Sequence, residues 1–192
     1  RLGLQNLRTG FSRVGLGRPT GWLREEQPGH LPVGRRFSEG EVAMLAIGQG
    51  EILLTPLQAA VMVGAIANRG WLVEPWVVKT IEGHSVSRSH STAIGWSEGA
   101  LTQVYEGMRA VVSDPRGTGS GASSTRVEVA GKTGTAQTHQ PGRPHGWFIG
   151  FCPAENPVVA MAVVAEHGGS GGDLPAAIGK AICEYIATAS TS

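Results

Sequence analysis

Polar and apolar residues alternate in two periods along the chain, and the changes of period mark its elements. Over residues 57–67 nearly every side chain is apolar or small. Thr55-Pro56 in front offers an N-cap hydroxyl and a proline at the first helical position, and Asn68-Arg69-Gly70 behind offers a stop. This predicts a helix buried on most of its surface. Ser97 caps a second, amphipathic helix, with Leu101, Val104, Met108, Val111 and Val112 on one face and Glu98 near its positive end. Arg126-Val127-Glu128-Val129-Ala130 switches to the period of two that marks a half-buried strand. Residues 147–152 and 158–167 read as two more strands, and the reversal Pro153-Ala154-Glu155-Asn156-Pro157 between them makes an antiparallel hairpin. A glycine-rich turn over 168–172 then leads to a closing helix over 174–189.

The remaining stretches are less regular. Residues 1–36 are dominated by glycine and proline turn signals, with room for a short helix over 2–11. Residues 71–81 are extended, rich in Val and Trp, with Pro75 marking an edge or a break. Residues 84–92 are polar and predict a loop. Residues 113–125 contain Asp114-Pro115 and three glycines, which predicts a flexible loop, and a second loop covers 138–145. Helices, then a three-stranded antiparallel run, then a helix define an α+β class with helices packed on one sheet. Neither an internal repeat nor a second domain boundary interrupts this plan.

Composition narrows the picture. At 192 residues the chain can enclose one core. Sixteen basic residues against fifteen acidic give a net charge of +1, which argues against a nucleic-acid footprint. No apolar run approaches the roughly eighteen residues needed to cross a bilayer. The first residues, Arg1-Leu2-Gly3-Leu4-Gln5, hold neither an initiator Met nor the apolar segment of a secretory signal. The expectation is that the chain begins within a larger protein, with any export signal upstream. Cys152 falls in a strand and Cys183 in a helix. Two buried free thiols is the favoured reading, because cysteine packs as a small hydrophobe, and a bridge is the alternative.

The chemistry concentrates at Gly131-Lys132-Thr133-Gly134-Thr135-Ala136-Gln137, placed at the end of the alternating strand. Acyl transfer from an amide needs a nucleophile, a proton acceptor and donors aimed at the developing oxyanion. A strand bordering a cleft can offer outward N–H groups to an extended peptide and to that oxyanion, while a lysine and hydroxyls hold a carboxylate. Glycine after the hydroxyl residue permits close approach. Lys-Thr-Gly alone is short and made of common residues, and an ordinary strand end with a solvated lysine would account for it.

Longer runs carry more. Val129 through Gln137 resembles the corresponding strand of the class B penicillin-binding proteins, the peptidoglycan D,D-transpeptidases. His145-Gly146-Trp147-Phe148-Ile149-Gly150-Phe151 and residues 158–172 resemble that family's next two strands and their glycine-rich exit. Ala46-Ile47-Gly48-Gln49-Gly50, continuing through Thr55-Pro56-Leu57-Gln58, is similar to the approach and start of its buried helix, and residues 15–21 to the segment before that. The matches keep the family's order and cover nearly the whole chain. The resemblance implies a partial penicillin-binding protein or serine β-lactamase-like transpeptidase fold, with 1–192 as the C-terminal portion of a single transpeptidase domain. It implies that Lys132 supplies positive potential near the nucleophile and the substrate carboxylate. Thr133 and Thr135 would direct hydroxyls to that carboxylate, Gly134 would give clearance, and the Thr135 N–H would be an oxyanion donor. The family's Ser-x-x-Lys and Ser-x-Asn motifs do not occur here: none of Lys79, Lys132 and Lys180 has a serine three places earlier. The nucleophile is therefore expected upstream, and this chain alone is expected to be inactive.

By the same resemblance the parent takes stem peptides ending in D-Ala-D-Ala, is acylated by β-lactams, needs no cofactor or metal, works outside the cytoplasm from a membrane anchor and has a membrane glycosyltransferase as a partner. A serine β-lactamase fragment and a non-catalytic sensor or scaffold module are the alternatives, separated by what lies upstream. Three rivals concern other residues. Gly168-Gly169-Ser170-Gly171-Gly172 fits a nucleophile elbow, but the 22 residues after Ser170 contain no histidine. His139, His145 and His167 lack the spacing of a zinc site. A phosphate loop needs glycine where Arg126 stands. The tryptophans, Trp22, Trp71, Trp76, Trp96 and Trp147, are expected in the core or along groove walls.

Overall fold

Thr55 and Gln58 close a reciprocal capping box at the head of the buried helix, with Pro56 at its first position. In the computed structural model, which describes residues 3–34, 36–86, 90–137 and 142–189, this helix is α3 (Pro56–Ala67), preceded by α1 (Gly3–Arg13) and α2 (Glu39–Ala46). After it come the short strands β1 (Trp71–Val73), β2 (Thr80–Ile81), β3 (His84–Ser85) and β4 (Ser91–Ala93), then α4 (Glu98–Ser113). The chain ends in β5 (Ala130–Ala136), β6 (His145–Cys152), β7 (Val159–Ala165) and α5 (Leu174–Ala189). Strands β5, β6 and β7 form one antiparallel sheet in that order, so β5 is an edge, with Lys132 opposite Ile149 and Thr135 opposite Gly146.

The sheet is covered on both faces, which is why β6 is apolar at almost every position. Phe148 and Cys152, with Val129, Met161 and Val163, point to α5. Ile149 and Phe151, with Ala130 and Ala160, point to α3 and α4. The Phe148 ring occupies a cradle of three glycines, Gly131, Gly150 and Gly179, where any added Cβ would overlap it. Gly131, the residue before Lys132, is thus fixed by the core.

Buried Gln58 has all its polar atoms engaged. Its Nε2 donates to the carbonyls of Arg18 (2.8 Å) and Pro28 (2.9 Å), and its Oε1 accepts from the Thr55 N–H (2.9 Å). One side chain thereby holds the irregular N-terminal segment against α3. On α4 the buried residues are Leu101, Tyr105, Met108 and Val112, whereas Val104 is 38% exposed. Tyr105 replaces Val104 on the inner face because its ring packs on Phe151 (4.8 Å between centroids) and lies 3.7 Å beneath the Arg69 guanidinium, while its hydroxyl donates to the Ala154 carbonyl. Tyr105→Phe should lower unfolding free energy by about 1–2 kcal/mol, because that buried carbonyl loses its donor. Urea denaturation would measure it, and an unchanged midpoint would contradict the assignment.

Four further expectations are corrected, and one element was not foreseen. Cys152 and Cys183 form a disulfide, with Cα atoms 5.9 Å apart, because β6 presents Cys152 to the face that α5 covers. The sheet ladder starts at Ala130, so Lys132 lies inside β5 and not at a strand's end. Continuing the β5–β6 register two places back sets Glu128 opposite Pro153, which has no N–H to extend the ladder. Within 113–125 a one-turn 3-10 helix, Ser120–Ala122, buries Ala122 completely, and Gly119 N–H is bonded to Val111 O (3.1 Å), so this loop is anchored. The polar stretch 84–92 contributes β3 and β4, with 87–89 outside the described residues. Finally, α2 was not expected. Its signal is Ser38-Glu39-Gly40-Glu41, a second capping box. Leu2, the expected start of α1, also lies outside the described residues.

Candidate functional site

Lys132 and Thr135 are exposed on β5, and Thr133 and Gly134 are half-buried. The structure brings all four predicted residues together on the edge strand of the main sheet. Lys132 folds along that strand, and its Nζ donates to the Thr133 carbonyl (2.7 Å). Among the described residues no carboxylate pairs with it. The Thr133 hydroxyl donates to the Thr118 hydroxyl (2.7 Å), which reaches in from the anchored loop after α4. The Thr135 carbonyl accepts from Gln49 Nε2 (2.9 Å), on the segment after α2.

A third wall comes from the turn between β7 and α5. Gly171 is buried with its backbone against Trp147 and Gly134, and Gly172 abuts the Thr118 carbonyl. The Ser170 hydroxyl accepts from the Gly172 N–H (3.2 Å) and so shapes this turn. The turn is packed at Gly171 and Gly172. A Cβ added at Gly134 would meet the Cβ of Trp147 at 3.3 Å.

Two ion pairs fix the approaches. Arg109 on α4 grips Glu128 with two hydrogen bonds of 2.9 Å just before β5, and the bound carboxylate pushes the guanidinium further up from its ordinary value. Arg116 bonds Asp114 ahead of Thr118, and these bonds hold the Asp114 carboxyl below its usual range. At the far end of β5 the Nδ1 of His145 accepts from the His167 N–H (2.9 Å), with the rings 4.8 Å apart. His139 lies outside the described residues. Among those described, no three His, Cys, Asp or Glu side chains converge as metal ligands. Of the tryptophans, expected in the core or along groove walls, Trp71 is 52% and Trp22 is 37% exposed, so these two are not core; both sit where the chain has only short strands or turns to cover them. A cleft of about 680 Å³ lined by Arg8, Arg13, Arg18 and His30 lies beside α1 and touches no β5 residue.

Sequence reasoning missed Gln49, Thr118 and Gly171 as parts of this site. All three come from segments distant in sequence, and no local pattern points them at β5. Thr118→Val should slow acylation of the protein carrying this segment about fivefold, because Thr133 loses the partner that orients its hydroxyl. Thr118→Ser should restore the rate. Equal rates for valine and wild type would show that this hydrogen bond is idle.

The model for the penicillin binding protein transpeptidase domain matches residues 1–184. The chain belongs to the penicillin-binding protein transpeptidase family. PbpA of Mycobacterium tuberculosis, a peptidoglycan D,D-transpeptidase, is 33% identical over 162 residues, covering 74% of this chain and 31% of that protein. MrdA of Acinetobacter baumannii, another peptidoglycan D,D-transpeptidase, is 29% identical over 213 residues, covering 96% of this chain and 31% of that protein. The crystal structure of Pseudomonas aeruginosa penicillin-binding protein 2 in complex with WCK 5153 superposes with a TM-score of 0.86 at 35% identity, covering 96% of this chain and 44% of that one. Penicillin-binding protein 3 of Mycobacterium tuberculosis, complexed with aztreonam, gives 0.84 at 28% identity, with 98% and 47% covered. The chain thus spans about a third of the length of the curated relatives it matches. The α+β assignment and the family resemblance both hold.

Proposed function

We propose that residues 1–192 are the C-terminal portion of a single serine transpeptidase domain, and that the protein carrying them cross-links peptidoglycan stem peptides. The observation that carries this reading is the run Lys132-Thr133-Gly134-Thr135 on the free edge of the central sheet, with Lys132 and Thr135 exposed. Both relatives named above act as peptidoglycan D,D-transpeptidases, which supports the reaction class.

In this reading a serine hydroxyl from another segment of the same domain attacks the carbonyl between the two terminal D-alanines. The N–H of Thr135 stabilises the oxyanion, D-alanine leaves with a proton, and the acyl group passes from the serine to an amine on a neighbouring stem. Lys132 raises the local positive potential, and Thr133 and Thr135 hold the substrate carboxylate, with Gly134 leaving the backbone accessible. β-Lactams acylate the same serine. The active site faces outside the cytoplasm, the parent is held by a membrane anchor, and a membrane glycosyltransferase supplies its glycan strands. Among the described residues no helix is long and apolar enough to cross a membrane.

Labelling with a fluorescent penicillin tests the reading. The full polypeptide that carries these residues should be labelled covalently, with unlabelled penicillin competing, and residues 1–192 alone should not. Labelling of 1–192 alone would refute the external nucleophile, and an unlabelled full polypeptide would refute the transpeptidase assignment.

A further inference from the structure

Gln49 is placed by a rigid helix end. Gly48 takes φ +77° after the C-cap Ile47, the Gly48 N–H bonds Leu45 O (3.0 Å) and the Gln49 N–H bonds Met44 O (2.9 Å). These two bonds make a Schellman motif, which fixes the Gln49 backbone and leaves only its side-chain torsions free. From there the half-buried amide reaches the Thr135 carbonyl, 86 positions along the chain.

In an antiparallel ladder the N–H and C=O of one residue point the same way, and successive residues alternate. Thr133 and Thr135 therefore share a side. Both of their carbonyls accept from side chains, Lys132 Nζ on Thr133 and Gln49 Nε2 on Thr135, and these donors mark that side as the open edge of β5. A bare edge offers donors and acceptors equally and invites pairing with any strand. Each carbonyl keeps a second lone pair, so the edge still offers acceptors beside its N–H groups. What the Gln49 bond adds at Thr135 is a fixed backbone orientation, and with it a fixed direction for the N–H.

We propose that Gln49 is a positioning residue: by holding the Thr135 carbonyl it sets the orientation of the Thr135 backbone and leaves its N–H as a fixed donor to the reacting carbonyl. This rests on the transpeptidase reading above, in which that N–H meets the oxyanion. Gln49 touches no reacting atom.

Gln49→Glu keeps the shape and replaces the donor with an acceptor that repels the Thr135 carbonyl. Gln49→Ala removes the group. Measured on the full polypeptide with a fluorescent penicillin, both should slow the covalent step about fivefold or more, with initial binding changed much less. The glutamate variant should recover toward wild type as pH falls from 7.5 to about 4.5, since a protonated carboxyl donates again, and the alanine variant should not. Amide exchange at Thr135 should quicken in Gln49→Glu at neutral pH. Acylation as fast as wild type overturns the proposal, and faster acylation would mean that Gln49 competes with the ligand for the Thr135 carbonyl. If wild type itself is not acylated, the transpeptidase reading fails. Amide exchange then decides the positioning contact alone, and exchange unchanged by the substitution overturns it.

Discussion

Lys132→Met is expected to lower the second-order rate of acylation by a fluorescent penicillin about 100-fold or more, with no loss of thermal stability. The two halves of that expectation have separate causes. Lys132 is exposed on an edge strand, its ammonium bonds the neighbouring Thr133 carbonyl, and no carboxylate among the described residues depends on it. Its removal therefore leaves the packed layers intact. The reaction, however, builds negative charge beside a substrate that already carries a carboxylate. A preorganised donor at such a place is commonly worth two to three orders of magnitude, or about 3–4 kcal/mol. Lys132→Arg should recover part of the rate, since it restores charge without the compact ammonium. A loss below about threefold for Lys132→Met, in protein with an unchanged melting temperature, would remove Lys132 from the active site.

Gly171→Ala should destabilise the fold by about 3 kcal/mol and shift its melting temperature down by several degrees. A methyl group there would overlap the backbone of Trp147 and Gly134 and come within 2.9 Å of the Gly134 nitrogen. Backbone cannot rotate away as a side chain can, so either the turn lifts off or the centre of β5 bends. Acylation should fall as well, because Gly134 lies between Thr133 and Thr135. Differential scanning calorimetry alongside the labelling assay would check both. A stable, fully active Gly171→Ala protein would mean that the β7–α5 turn does not rest on the strand. Gly169→Ala is a useful comparison, for an added Cβ there meets no neighbour, although its φ of +81° carries a smaller strain of its own.

The parts of the fold that local chemistry dictates were legible. Thr55, Pro56 and Asn68 bound α3 as expected, Ser97 caps α4, and the proline-flanked reversal after residue 152 joins two antiparallel strands. What escaped depends on neighbours from elsewhere. β3 and β4 are polar and only two and three residues long, so their strand character lies in backbone pairing that no side-chain period records. Val104 and Tyr105 are adjacent on α4, and hydropathy favours valine. The tyrosine goes inside because Phe151, Arg69 and the Ala154 carbonyl are there to receive its ring and hydroxyl. The two cysteines stand 31 positions apart, and only the docking of α5 on β6 makes them partners.

The motif itself shows the same division. The identity and spacing of Lys132, Thr133, Gly134 and Thr135, and the long runs around them, are properties of the one-dimensional chain and were enough to place it in its family. That this run forms an open edge, that Gln49 and Thr118 meet it, and that the Gly171 turn closes over one side are tertiary facts. Hydrogen bonds of about 3 Å between residues tens of positions apart leave no period, cap or turn signal at either end. They exist only once the sheet and its helices have packed.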